Sequence, residues 1–221
     1  MMTFKAVFGK RVVLPAIVLC AMAFPLNAAN AALVQYSFTG TIGTAGSAIR
    51  PTIPTGSSMS GTFSFEDTTM ATGTGRYMGA VQSFSLNFDG YSVSWDSSGD
   101  INLIRITDSP SGDLWRLRTS VMGEDIGGYS PTEFRLELED EDGLAITGTG
   151  LQNPPSLGNL SSTQWRLVFE NSNGQSVRLL GVLNSLTAVP LPAAVLLFGA
   201  GLISLVGLGA GGLRNLRGSQ A

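Results

Sequence analysis

The sequence predicts an all-β domain, a two-sheet antiparallel sandwich of jelly-roll type, on three observations. Between residues 33 and 187 short stretches alternate apolar with polar residues, turn-forming residues recur between them, and no stretch sustains a period near 3.6. A span of this length holds one core, and ten or so strands with one polar face each imply two packed sheets.

Taken in order, the first strand is expected at Leu33–Ile42 and the second at Met59–Phe65. Between them, Gly43–Thr55 carries Pro51 and Pro54 and reads as a surface loop. A hairpin turns on Asp89 and Gly90, because a two-residue Asp-Gly loop favours a type I′ turn. It pairs Phe88 with Tyr91, Leu86 with Val93 and Phe84 with Trp95 on one face. Ser83, Ser85 and Asn87 pair with Asp96, Ser94 and Ser92 on the other. Strands follow at Ile101–Thr107 and Leu114–Thr119. Phe134, Leu136 and Leu138 are expected to face Leu144 and Ile146 across an odd loop near Asp140 to Gly143. Asn153–Gly158, with Pro154 and Pro155, reads as a second surface loop. In the last hairpin, phase favours a three-residue loop, Ser172 to Gly174, that sets Phe169 opposite Val177. The rival architecture is an outer-membrane barrel, which needs an apolar outward face.

Charge is distributed unevenly. All 16 acidic residues lie between Glu66 and Glu170; with the eight arginines from Arg50 to Arg178 they give the middle of the chain a net charge of −8, and lysine, histidine and cysteine are absent there. Such a surface argues against nucleic-acid binding, which needs a cationic footprint. Ser-His-Asp, Cys-His and Ser-Lys catalysis and the usual zinc sites are excluded with those residues, leaving only carboxylate chemistry. Cys20 sits in the first apolar run, where the bulky Val18 and Leu19 speak against a lipid-attachment site.

The two ends read as export signals. Residues 1–31 have the three parts of a signal peptide. Lys5, Lys10 and Arg11 are followed by an apolar run from Val12 to Phe24, then by Ala29-Asn30-Ala31, whose small–x–small pattern suits a signal peptidase cutting after Ala31. Residues 32–188 form the domain. In residues 189–221, Pro190 and Pro192 precede an uncharged stretch that predicts a membrane-spanning helix over 193–213. At 1.5 Å per residue it is about 31 Å long, matching the roughly 30 Å hydrocarbon core of a bilayer. Arg214 and Arg217 would stop transfer on the cytoplasmic side, leaving the β domain in the periplasm or outside. Gly207 and Gly211 have helix-dimer spacing, but glycines are common in such spans.

Val189-Pro190-Leu191-Pro192, the apolar run containing Leu197-Phe198-Gly199-Ala200-Gly201-Leu202, and the terminal arginines together resemble the PEP-CTERM sorting signal, in its Val-Pro-x-Pro variant because Leu191 stands where that motif has Glu. The resemblance covers only the last 30 or so residues. It implies a precursor anchored in the inner membrane of a Gram-negative bacterium, an exosortase-like processing enzyme as partner, and an association with exopolysaccharide or biofilm. The expectation is thus a non-enzymatic surface or matrix protein needing no cofactor or metal. The alternative is a carbohydrate-binding module for exopolysaccharide.

Two further patterns bear on the domain. Trp115-Arg116-Leu117, Phe134-Arg135-Leu136 and Trp165-Arg166-Leu167 put an arginine outward on three strands. Those arginines either hold anionic polysaccharide or pair with outward acids such as Glu137 and Glu139. In the tract Glu137 to Gly143, the spacing of Glu137, Glu139 and Glu141 resembles the Glu-x-Asp-x-Glu of laminarinase-like glycosidases, with Glu at the centre. Asp140 and Asp142 are the candidate calcium ligands. The plainer expectation for the tract is a solvated acidic hairpin tip.

Overall fold

The computed structural model describes residues 32–88 and 90–190. It contains ten strands: β1 (Leu33–Ala45), β2 (Ser58–Glu66), β3 (Arg76–Met78), β4 (Val81–Phe88), β5 (Tyr91–Trp95), β6 (Asn102–Thr107), β7 (Asp113–Gly123), β8 (Ser130–Asp140), β9 (Ser162–Glu170) and β10 (Ser176–Val189). Every pairing is antiparallel. β5 and β6 both pair with β7 and lie end to end along it, while β3 and β4 run beside them, so ten strands make eight staves. The circuit runs β1, β2, β4, β5, β7, β8, β9, β10 and returns to β1.

The architecture is therefore a closed up-and-down barrel, not the expected sandwich. Alternation could not separate the two, because each folds strands with one apolar face inward. The deciding feature is the seam between the first and last strands, whose ten rungs run from Gln35 opposite Val189 to Ala45 opposite Leu179. Irregularities between Thr39 and Gly40 and between Ile42 and Thr44 bend this seam, as bulges do where a sheet must coil to close.

Small barrels fill their interior with side chains. Here Phe38, Phe63, Phe65, Trp115, Phe134, Trp165 and Phe169 are all at most 1% exposed. Rings meet across the axis: Phe84 and Phe134 centroids are 4.5 Å apart, Phe38 and Phe134 6.0 Å, and Phe63 and Trp115 6.0 Å. The mouths are plugged as well. Ile49 and Ile53 enter one from the connection between β1 and β2, whose other residues, Pro51 and Pro54 among them, are mostly exposed as expected of a surface loop. At the other mouth Ile146 is buried, the Tyr77 hydroxyl donates to the Thr149 carbonyl at 2.6 Å, and Trp115 Nε1 donates to the Gln152 carbonyl at 3.0 Å.

Two of the three expected hairpins form. Phe88 opposes Tyr91 and Leu86 opposes Val93, though the ladder ends before the Phe84–Trp95 rung. Phe169 opposes Val177, and Gly174 takes the left-handed φ of 75° that its loop requires. The third does not form: Leu144 is 84% exposed, and β8 pairs instead with β7 and β9. The Asp140 carboxylate accepts hydrogen bonds from the Leu144 and Ala145 amides at 2.8 and 3.0 Å, which removes both from any ladder.

Outward positions on the staves are mostly polar, the reverse of a lipid-facing barrel wall. Among the described residues no helix is long and apolar enough to cross a membrane. The span expected at 193–213 lies outside them, as do the signal peptide with Cys20 and the Gly207–Gly211 pair.

Candidate functional site

With the interior filled, the outer wall is the surface left open to contact, and that wall has two unlike halves. On β1, β2, β4 and β5 it is almost uncharged. Hydroxyls and amides there satisfy one another across strands: Ser64 with Ser83 at 2.6 Å, Thr62 with Ser85 at 2.9 Å, Thr39 with Ser185 at 2.6 Å, and Ser92 donating to Asn87 at 2.7 Å.

The other half carries the charge. Arg76, Arg105, Arg116, Arg118, Arg135, Arg166 and Arg178 project from β3, β6, β7, β8, β9 and β10, because the next residue along each strand points inward. Seven of the domain's eight arginines thus share a wall with four strand glutamates, Glu133, Glu137, Glu139 and Glu170. Most of the remaining acids occupy turns and rims. A domain of net charge −8 therefore has one cationic side.

Register builds this side into rows. Arg118 stands opposite Arg135, and Arg135 opposite Arg166. In a neighbouring row Arg76 opposes Arg105, Arg105 opposes Arg116, and Arg116 opposes Glu137. Like charges directly opposite one another destabilise a sheet, and the glutamates relieve this diagonally. Arg118 grips Glu133 through two hydrogen bonds, Nε at 2.8 Å and Nη2 at 2.9 Å. Arg135 lies 3.4 Å from Glu133 and 3.5 Å from Glu137. Arg116 Nε lies 2.6 Å from Glu137 Oε1, but out of line for a hydrogen bond.

Arg166 combines two features that the other arginines of the wall show at most singly. Its Nε is buried with no hydrogen-bond partner, and among the described residues it forms no ion pair. Burial is the main influence drawing its pKa downward, followed by the charge of Arg135. A guanidinium in this position favours an incoming anion, which relieves both effects through charge-assisted hydrogen bonds.

The sequence singled out the three triplet arginines, and the fold brings them onto adjacent staves β7, β8 and β9. Pairing with outward acids holds for Arg116 and Arg135 through Glu137, with Glu133 joining; Glu139 forms no ion pair with them. Arg118 and Arg105 were not singled out. For Arg118 the signal was its position two residues from Arg116, on the same face of one strand.

The acidic tract has other work. Glu137 is engaged with Arg116 and Arg135, and the shallow concavity beside the tract is lined by Glu139, Asp140 and Glu141 but not by Glu137. Asp140 is not at a solvated tip. It is 6% exposed, and its carboxylate is occupied by the amides of Leu144, Ala145 and, at 3.3 Å, Asp142. Opposite it, buried Asp113 accepts from the Ile146 amide at 2.8 Å and the Ser109 amide at 3.2 Å. The two carboxylates fasten the loops at this rim, which leaves Asp140 poorly placed to bind calcium. Among the described residues no three metal-capable side chains cluster.

No family model, curated protein or solved structure matches this chain. Of the expected processing residues, Val189 is the last residue of β10 and Pro190 follows it, exposed. Proline lacks the N–H to continue a ladder, so the strand stops there. Ala29, Ala31, Leu191, Pro192, Arg214 and Arg217 lie outside the described residues.

These pairings predict an acid-sensitive fold. The Leu144 amide foremost holds the Asp140 carboxyl below its ordinary range. Burial pushes Glu133 upward, but the hydrogen bonds and charges of Arg118 and Arg135 outweigh it and leave the carboxyl depressed. Groups with depressed folded pKa values contribute stability above their unfolded pKa, about 4, and lose it as pH falls through the folded values. Thermal melting should be nearly flat from pH 5 to 8 and fall steeply below about pH 4. Glu133→Gln should make that acid arm shallower, and an unchanged arm would show that the Arg118–Glu133 pair contributes nothing.

Proposed function

We propose that this chain is a non-enzymatic, exported surface or extracellular-matrix protein whose barrel binds anionic exopolysaccharide along its arginine wall. The observation that carries the reading is the row Arg118–Arg135–Arg166, crossing three adjacent strands and ending on a guanidinium with no acid of its own. Strands lie about 4.8 Å apart, near the repeat of one sugar unit in an extended chain. A uronate or sulfate group would meet Arg166 first, with Arg135 and Arg118 beside it already shared with Glu133 and Glu137. Arginine suits this task because its planar fork binds carboxylates bidentately and stays charged. Export is supported by the leader-like residues 1–31 and the PEP-CTERM-like motif from Val189. An exosortase-like enzyme is the expected processing partner.

The test is retention of the full chain on immobilised polyuronate, sulfated polysaccharide and neutral dextran. Retention on the anionic matrices, released by salt, is expected. Replacing Arg166 and Arg105 together by glutamine should weaken binding about tenfold, or roughly 1.4 kcal/mol. Equal behaviour on dextran and polyuronate would overturn the reading.

A further inference from the structure

We infer that the mature chain begins at Ala32 and that its new α-ammonium ion-pairs with Asp67. The Ala32 N–H donates to Asp67 Oδ1 at 3.1 Å, and the Asp67 N–H donates back to the Ala32 carbonyl at 3.2 Å. Together they add one rung to the β1–β2 ladder beyond Leu33 opposite Glu66. The neighbouring Glu66 carboxylate is engaged by the Thr68 hydroxyl at 2.9 Å, so Asp67 is the acid at hand.

Hydrolysis of the Ala31–Ala32 bond consumes one water. It leaves a carboxylate on Ala31 and an ammonium on Ala32, at the nitrogen already aimed at Asp67. An amide-to-carboxylate hydrogen bond thereby becomes a charge-assisted one. The match is specific to this bond. Cutting one residue later removes the donor, and cutting earlier leaves an uncharged amide facing Asp67. The leader pattern Ala29-Asn30-Ala31 selects the same bond independently. Processing would then tighten the start of β1, the strand on which the barrel closes. The inference rests on the export half of the reading above and is independent of the arginine wall.

The experiment expresses the full chain with its own leader in a Gram-negative host, then measures intact mass and N-terminal sequence of the exported product. Ala32 is expected as the first residue. Amine-selective acylation at pH 7 then compares wild type with Asp67→Asn, a variant that keeps a hydrogen-bond acceptor and so the rung. An ion-paired amine is held protonated above its ordinary range of about 7.7–8.0, and wild type should react threefold or more slowly. An exported product starting elsewhere, or equal acylation rates, overturns this inference while leaving export intact. A chain retained unprocessed in the cell overturns both.

Discussion

Trp115→Ala should be among the most damaging single substitutions in the barrel, lowering stability by about 3–5 kcal/mol. Trp115 is fully buried and packs on Phe63 and Phe65, at centroid distances of 6.0 and 6.3 Å, so its ring bridges β7 to β2 across the interior. Truncation opens a cavity among rigid rings whose staves are fixed by hydrogen bonds on both sides and cannot collapse inward. It also removes the donor to the Gln152 carbonyl, releasing the long connection that plugs that mouth. For a domain of this size the melting temperature should fall by roughly 10 °C. Circular dichroism melts would measure it, with half-buried Trp95→Ala as comparator. A loss for Trp115 no larger than for Trp95 would mean that the interior is not close-packed.

Gly181→Val should be comparably harmful, by about 3 kcal/mol, for a different reason. Gly181 lies in the closing seam, opposite Ile42 on one side and Trp165 on the other. A β-carbon there would run into the Thr41 carbonyl oxygen and the benzo edge of the Trp165 indole. The oxygen belongs to the backbone and cannot rotate away, so the seam must part. The expected signature is local as well as global. Amide exchange should quicken at Thr44 and Gly181, and the opened edges of β1 and β10 should make the variant associate at high concentration. A stable monomer with wild-type exchange along the seam would show that the space had been misjudged.

Much of the wall was legible from alternation alone, because a period of two assigns every side chain to a face. That placed Trp115, Phe134 and Trp165 inward and Arg116, Arg135 and Arg166 outward. Turn chemistry was equally readable where glycine decides it, as at Gly90 and Gly174. Closure was not legible, since whether β1 ends as an edge or meets β10 depends on curvature summed over every strand between them. The arginine rows were hidden for the same reason: Arg118, Arg135 and Arg166 become neighbours only through the registers of two ladders.

Carboxylates that bind backbone misled the reading most. Asp140 looked like surface charge, yet it organises a loop. Asn102, which no pattern marked, bonds both the amide and the carbonyl of Val81 at 2.9 Å and stands in for a rung between β4 and β6.

Because β1 and β10 share the seam, the first stave to be synthesised receives its second neighbour last. Some 140 residues separate Leu33 from Ser176, and at 5–20 residues per second β1 waits on the order of ten seconds with one flank bare. A nascent chain in that condition offers a template to any other strand nearby. The two irregularities that bend β1 where it later meets β10 also spoil it as a flat template, so the kinks that allow the ring to shut guard it while it is still open.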